Sequence, residues 1–289
     1  MTVGQVLSGR FPRVSADLRR FGGAATRPLE EAGKLGWFAV LGGRDMGWAL
    51  TRYRKEIVRL IAEVGMGTGA MAVVGGTAVI IAFVTLSSGS LVAIQGLSSL
   101  GHVGLQTLLG FVAALINVRL VAPVVSGVVL AATVGAGATA ELGAMRISEE
   151  IDALEVMGVK SMAYLVSTRA IAGLVVIIPL YSLGLIMSFL SPQIITTVVY
   201  GQASGTYEHY FRTFLRPNDV FWSFVEVIIM AGVVMLTHCY YGYNASGGPV
   251  GVGEAVGRSM RLSLVSVNVV VLLAEMALYG VNPNFNFTV

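Results

Sequence analysis

Residues 64–118 read VGMGTGAMAVVGGTAVIIAFVTLSSGSLVAIQGLSSLGHVGLQTLLGFVAALINV, a stretch of 55 residues without Asp, Glu, Lys or Arg. A helix needs about 20 apolar residues to cross a bilayer, so this stretch can hold two crossings and the turn between them. The whole chain is 55% hydrophobic and 12% charged, with a mean hydropathy of +0.77. That is roughly half the charge of a soluble domain. The sequence therefore predicts an integral membrane protein.

Five apolar segments along the 289 residues are candidate transmembrane helices. They lie at about residues 65–86, 105–134, 170–190, 219–241 and 262–281. The second segment is longer than one crossing requires, so we expect it to tilt or to extend beyond the membrane. The fold class that this pattern predicts is an all-α integral membrane protein.

The distribution of Lys and Arg predicts the orientation, because cytoplasmic loops carry an excess of both. Eleven of the nineteen lie in residues 1–60, and the links on the same side, 135–169 and 242–261, hold three and two more. The opposite side holds two, and Arg119 falls inside a span. We predict a multi-pass protein of the plasma (inner) membrane with a cytoplasmic amino terminus and an extracytoplasmic carboxyl terminus.

The segment RYRKEIVRLIAEVG, residues 52–65, has the pattern of a basic amphipathic helix. Its basic residues lie off an apolar stripe. The apolar residues of that stripe recur at helical spacing and are Ile57, Leu60, Ile61 and Val64. Such a helix directly before a span is typical of an element that lies in the headgroup layer. An ordinary cytoplasmic helix with a solvated basic face is the alternative. We predict an interfacial elbow helix at about 45–64, preceded by a cytoplasmic extension over 1–44.

Residues 141–159, ELGAMRISEEIDALEVMGV, hold five of the sixteen acidic residues of the chain. Ser148 suits the N-cap of a short helix at about 149–157, and Gly158 suits the left-handed position that ends one. A helix this short is marginal alone and must dock on something. One interpretation is a loop helix resting on the membrane, which the negative inner leaflet disfavours. The other is a socket for a cytoplasmic protein.

Three ionisable residues interrupt the predicted spans: Arg119, Glu226 and Glu275. A charge in such a segment costs at least about 2.5 kcal/mol, so we expect each one to be paired or to face a wet cavity. Arg119 with Glu226 or Glu275 is the predicted ion pair. A polar site in a lipid pathway and a purely structural ion pair remain open as interpretations.

Other kinds of site find little support. The single cysteine, Cys239, excludes an internal disulfide and is predicted to pack, and the three histidines show no metal-ligand spacing. GAGATA at 135–140 fits a loose dinucleotide fingerprint without a βαβ unit. Close helix packing through small residues four apart is favoured instead: Ala132, Ala136 and Ala140. No G-x-x-x-x-G-K-[ST] loop occurs. We predict no catalytic residue, metal, cofactor or nucleic-acid partner for this chain.

Two motifs carry a resemblance to a known family: ATAELGAMRISEEIDALEVMGV at 138–159 and YYGYNASGGPVGVGEAVGRS at 240–259. They resemble the MlaE/YrbE family of lipid-transporting ABC permeases, and most closely the B-type YrbE subunits of actinobacterial Mce systems. The resemblance covers about residues 45–281. It implies an MlaE-like permease domain over 45–289, in which an interfacial helix is followed by five transmembrane helices.

The resemblance also implies partners and a substrate. The partners are a second, non-identical YrbE permease, a cytoplasmic MceG-like ABC ATPase that binds ATP and Mg²⁺, and an extracytoplasmic Mce assembly. The substrate is a fatty acid or related long-chain lipid, moved inward without covalent chemistry. In the family, the link between the second and third spans is the coupling helix that contacts the ATPase. The contact residues carried over to this chain are Glu149, Glu150, Ile151, Asp152, Leu154 and Glu155.

The chain departs from the family pattern in two places. Where many members read Arg-Glu-Leu-Gly-Pro, it reads Arg-Leu-Val-Ala-Pro at 119–123, and where they carry Gly-Arg it has Ala-Thr-Val-Gly at 132–135. Roles assigned to those polar groups therefore cannot be carried over. Two rival functions stay open: an ion-coupled secondary lipid carrier with Glu226 and Glu275 as proton sites, and a structural membrane scaffold for an Mce assembly. A membrane enzyme that acts on lipid is not supported, because the sequence shows no catalytic constellation for one.

Overall fold

A computed structural model describes residues 12–66, 76–102 and 105–280 of the chain. All regular structure in those residues is helical, which confirms the predicted all-α class. In chain order the helices are α1 Pro12–Arg52, α2 Arg54–Met66, α3 Gly76–Gly101, α4 Leu109–Ile147, α5 Glu150–Val156, α6 Met162–Val199, α7 Ser204–Phe214, α8 Pro217–Tyr243 and α9 Gly248–Tyr279. A 3₁₀ turn at Gln106–Leu108 precedes α4.

Five of these helices are long and apolar enough to cross a membrane, namely α3, α4, α6, α8 and α9. The predicted number of spans is therefore confirmed, but their ends differ. The first span was predicted at 65–86, partly over residues outside the described ranges, whereas α3 runs to Gly101. The serines near its predicted end do not stop the helix. Ser88 Oγ donates to Val84 O at 2.7 Å and Ser90 Oγ to Leu86 O at 2.9 Å, which satisfies the hydroxyls within the helix.

The segment before the first span forms two helices that pack on the bundle. The predicted boundary at residue 44 falls inside α1, which continues to Arg52, and α2 follows after Tyr53. Ile57 of α2 is buried in a cluster with Ile171 of α6 and Ala49 of α1. The apolar stripe that predicted contact with the headgroup layer is thus covered in part by protein.

Helices α4, α6 and α8 form the centre of the bundle and approach one another closely at glycines. A Cβ at Gly173 would lie 2.5 Å from Met235 Cγ, and one at Gly127 would overlap Met230 Sδ. Of the predicted packing residues of α4, Ala136 and Ala140 are partly buried, but Ala132 is exposed whereas its neighbour Ala131 is buried. A π-helical segment at Ala131–Gly135 inserts an extra residue per turn and so rotates the packed face.

The order of the helices gives the bundle two distinct ends. At one end α5 joins α4 to α6, α8 passes into α9, and α1 packs alongside. At the other end α7 lies between α6 and α8 and packs against the beginning of α4. The two groups of residues predicted to be functional lie toward opposite ends: the acidic segment at the α5 end, and Arg119, Glu226 and Glu275 toward the α7 end.

Candidate functional site

The link between α4 and α5 is a sharp turn at Glu149, whose φ is +60°. Ser148 closes α4 rather than opening α5: the two acceptors within reach of its single O–H are Ala144 O, 3.0 Å from Oγ, and Glu150 Oε1, 2.8 Å from Oγ. The predicted N-cap role of Ser148 is therefore wrong, and Glu149 occupies that position. The left-handed Gly158 after the helix is confirmed, with a φ of +78°.

One side chain anchors α5 to the bundle. Ile151 is fully buried and belongs to a cluster, here called the α5 cluster, that consists of Phe38, Leu142, Ile151, Leu165, Val166 and Cys239. Leu154 is partly buried against it. Ile151 was predicted as a contact residue for a partner, but it has no exposed surface to offer. It holds α5 in place instead, and Cys239 packs as predicted.

The acidic side chains of α5 are partly engaged within the protein. Asp152 Oδ1 accepts a hydrogen bond from Arg146 Nη1 of α4 at 2.6 Å. Glu155 Oε1 accepts from Ser161 Oγ at 2.5 Å and from the Tyr243 hydroxyl at 3.2 Å. These hydrogen bonds fasten α5 to α4 and α8. Because the carboxylates are nevertheless exposed, they also give the surface of α5 a negative charge.

An apolar pair at the end of α5 was missed by the sequence reasoning. Val156 is 89% exposed and Met157 is 69% exposed. Adjacent apolar side chains on an otherwise charged surface are typical of a contact area for another protein. Val156 and Met157 lie on the side of the short helix away from Ile151. The sequence could have indicated that they are exposed only if Ile151 had been known to be buried.

Toward the other end of the bundle, Arg119 is paired with a residue that was not predicted. Its Nη2 lies 2.8 Å from Asp219 Oδ2, and both side chains are largely buried. The predicted partners, Glu226 and Glu275, were the acids in the middle of predicted spans. Asp219 lies in the first turn of α8, where an acid is normally explained by the helix dipole.

Glu226 and Glu275 complete a polar cluster, here called the intramembrane cluster, that consists of Arg119, Asp219, Glu226 and Glu275. Glu226 is buried, and its Oε1 has no hydrogen-bond partner among the described residues. Glu275 is close enough to the other three for their charges to interact. The structure thus brings the three predicted residues together, with Asp219 as a fourth member, from helices α4, α8 and α9.

A buried polar node ties the same three helices nearer the α5 end. Thr139 Oγ1 of α4 lies 2.8 Å from His238 Nδ1 of α8 and 3.3 Å from Ser259 Oγ of α9. A Cβ at Gly135 would lie 2.5 Å from the His238 ring. Within the described residues, no group of three or more His, Cys, Asp or Glu could hold a metal ion. The node therefore has the geometry of a helix-packing contact.

Comparison with known proteins agrees with this architecture. The family model described as "Permease MlaE" matches residues 66–277. A probable ABC transporter permease protein of Rickettsia bellii is 27% identical over 196 residues, which are 68% of this chain and 74% of the relative. A probable ABC transporter permease protein of Synechocystis is 29% identical over 198 residues, 68% and 75% of the two chains.

A plant relative matches over a shorter part. The chloroplastic protein Trigalactosyldiacylglycerol 1 of Arabidopsis thaliana is 29% identical over 174 residues, 60% of this chain and half of the relative. Relatives that are ABC permeases imply an ATPase partner and a transporter subunit rather than an enzyme. Five apolar helices and a family match over most of the chain lead to one conclusion: this multi-pass membrane protein belongs to the MlaE permease family.

Proposed function

We propose that the chain is the permease subunit of an ATP-driven, Mce-type importer of fatty acids or related long-chain lipids. The observation that carries this proposal is α5, a short helix fixed by Ile151 and exposed elsewhere along most of its surface. A cytoplasmic MceG-like ATPase, which would hold ATP and Mg²⁺, docks on that surface. A second, non-identical YrbE permease and an extracytoplasmic Mce assembly complete the transporter.

The contacts of α5 support a route for mechanical work. Arg146 and Asp152 connect it to α4, whereas Glu155 connects it to Tyr243 of α8. Arg169 of α6 is in turn paired with Glu141 of α4 at 3.2 Å. Because these charged contacts and the α5 cluster link α4, α6 and α8, a displacement of α5 shifts all three helices. Two of them, α4 and α8, also carry the intramembrane cluster.

Lipid is the substrate class that the surroundings favour. The name of the Arabidopsis relative includes that of a galactolipid, and the spans present wide apolar surfaces, with the intramembrane cluster largely buried between the helices. Charged groups at that depth are costly unless they are paired or hydrated, so their presence marks a substrate pathway or a structural ion pair. In the proposed cycle, movement of α4 and α8 changes how this cluster meets the polar headgroup of a passing lipid.

The docking surface is tested by Val156→Arg in the permease co-expressed with its ATPase. The side chain is almost fully exposed, so the substitution leaves the fold intact but places a charge where an apolar contact is proposed. We expect co-purification of the ATPase to fall by at least about tenfold, the loss caused by disrupting one interface hot spot of roughly 1.4 kcal/mol or more. Glu208→Arg on α7, at the opposite end, is the matched control. Equal ATPase recovery with both variants contradicts the proposal.

An ion-coupled carrier is the rival function, and Glu226 and Glu275 are its proton sites. The two functions respond oppositely to two treatments of cells. ATP-driven import stops when the ATPase is inactivated, whereas an ion-coupled carrier continues and is stopped by an uncoupler. Lipid uptake that survives loss of the ATPase overturns the proposal in favour of the carrier.

A further inference from the structure

Helix α1 is outside the family match, which begins at residue 66, yet it reaches the core beneath α5. Phe38 is 6% exposed and belongs to the α5 cluster together with Ile151. Its ring lies 5.3 Å from that of Tyr240 and 5.9 Å from that of Tyr243. Tyr243 is the residue whose hydroxyl donates to Glu155 of α5. Phe38 therefore packs on both supports of α5, the apolar cluster and the tyrosine.

Two further contacts fix α1 in the same place. Ser167 Oγ, at the end of the π-helical segment Met162–Ser167 that begins α6, donates to Gly42 O at 2.9 Å. The Lys160 ammonium, in the link from α5 to α6, lies 4.8 Å from the centre of the Trp48 ring. A cation at this distance from an indole face is attracted to it. Helix α1 therefore also contacts the link that follows α5 and the beginning of α6.

Gly42 of α1 faces both α8 and the beginning of α6. A Cβ at Gly42 would make ordinary van der Waals contacts with Leu236 Cδ2 at 3.4 Å and with Val166 Cγ1 at 3.5 Å, so this part of α1 packs next to both helices. Trp37, next to Phe38 in α1, is by contrast 67% exposed. The two neighbouring aromatic residues thus form a natural pair for comparison.

We infer that α1 is the positioning element of α5, and that Phe38 is the positioning residue through which it acts. With Phe38 in the α5 cluster, Ile151 is packed tightly on all sides. A force on α5 is then transmitted to α6 and α8. Without it, the cluster contains a cavity in which α5 can rock locally. This inference rests on the proposed function of α5 as the coupling helix, but its structural part can be measured on the permease alone.

The structural part is tested with a spin label on α5. Cys239 is the only native cysteine and is fully buried, so Ala153→Cys, on the exposed surface of α5, provides a selective labelling site. We expect Phe38→Ala to at least about double the mobile fraction of the nitroxide spectrum, because surroundings fill such a cavity only in part. Phe38→Leu restores most of the order, and Trp37→Ala leaves the spectrum unchanged. Identical spectra for Phe38→Ala and Trp37→Ala overturn the inference.

The functional part is tested in liposomes that contain the complete transporter and a fluorescent long-chain fatty acid. The quantity measured is fatty acid moved per ATP hydrolysed, together with the rate of ATP hydrolysis. We expect Phe38→Ala to retain the ATPase and its hydrolysis but to lower the ratio by at least about fivefold, the lower range of coupling between sites. A merely structural role lowers the amount of folded transporter and leaves the ratio unchanged, which contradicts the inference.

Failure of the inference and failure of the proposed function give different results. If the unsubstituted transporter moves fatty acid with ATP while Phe38→Ala has the same ratio, the positioning role is wrong and the proposed function stands. If the unsubstituted transporter moves none, the proposed function fails, and the spin label alone decides whether α1 positions α5. Should Phe38→Ala not fold, Ser167→Ala, which removes the hydrogen bond to Gly42 O, is measured in the same way and decides the question.

Discussion

Arg119 and Asp219 form a largely buried ion pair, 2.8 Å apart, between α4 and the first turn of α8. Removal of the charge from one partner leaves the other in a poorly solvated place, which costs on the order of 3 kcal/mol. We therefore expect Asp219→Asn to lower the stability of the purified permease by about that amount in a denaturation experiment. Glu208→Gln, which weakens the exposed pair with Arg212, should cost less than about 1 kcal/mol. Equal losses for the two variants contradict the assignment.

A second residue-scale prediction concerns the close approach of α4 and α8. A methyl group at residue 135 would lie 2.5 Å from His238 Cδ2, whereas one at residue 137 has nothing within 4 Å. Gly135→Ala must displace the imidazole and weaken its contact with Thr139, so we expect a loss of about 1–3 kcal/mol. Gly137→Ala, on the same helix, should be neutral or slightly stabilising because alanine favours helix. Thermal unfolding in detergent measures both. A permease that tolerates both equally contradicts this packing.

Individual residues show which parts of the site the sequence could predict. That Arg119 needs a counter-charge follows from its place in an apolar segment. The identity of the partner does not, because Asp219 is 100 residues away in sequence and lies where a helix start explains an acid. Ile151 and Val156 are both apolar residues of one short helix, and which of them is buried depends on what lies beneath. For such a helix the periodicity alone leaves both orientations open.

At the scale of elements, a side chain of α4 compensates for a proline within α6. Pro192 has no N–H and cannot donate to the carbonyl of Ser188, four residues earlier in α6. Asn117, which begins a π-helical segment of α4, supplies the donor: its Nδ2 lies 2.9 Å from Ser188 O. The amide of Asn117 on one helix therefore replaces the backbone donor that Pro192 lacks on the other.

This pairing predicts an energetic coupling between the two positions. Asn117→Leu should destabilise the permease by roughly 1–3 kcal/mol, because the Ser188 carbonyl then lacks a donor. In a Pro192→Ala background a backbone N–H is present, and the same substitution should cost about 1 kcal/mol less. A double-mutant cycle in denaturant measures the difference. The same cost for Asn117→Leu in both backgrounds shows that the carbonyl is satisfied in another way.

The number of spans could be predicted, but their ends and their phase could not. Length and hydropathy suffice to count apolar helices, since every backbone group in a membrane must be paired within the segment. The predicted end of a span is wrong where polar residues remain inside the helix, as Ser88 and Ser90 do in α3. The predicted buried face is wrong where a π-helical segment adds a residue to the turn, as at Ala131–Gly135. Both depend on hydrogen bonds that composition does not record.

At the scale of the whole molecule, the two candidate regions are joined by α4 and α8. Helix α4 carries Arg119 toward one end and Arg146, the partner of Asp152, at the other. Helix α8 begins near Asp219 and ends at Tyr243, which touches both Phe38 and Glu155. Any movement of α5 that these helices follow as rigid bodies therefore reaches the intramembrane cluster. No separate relay of side chains along the bundle is required.

The arrangement of the whole molecule in the membrane gives the last prediction. Because Lys and Arg are concentrated on the side of α5, the positive-inside rule predicts that α5 lies in the cytoplasm and α7 outside. With Cys239 buried, Val156→Cys and Glu208→Cys each carry one reactive thiol, at opposite ends. A membrane-impermeant maleimide added to intact cells should label Glu208→Cys, and should label Val156→Cys only after the cells are permeabilised. Labelling of Val156→Cys in intact cells would place α5 outside, where no ATP-hydrolysing partner could reach it, and would end both the proposed function and the coupling role of α1.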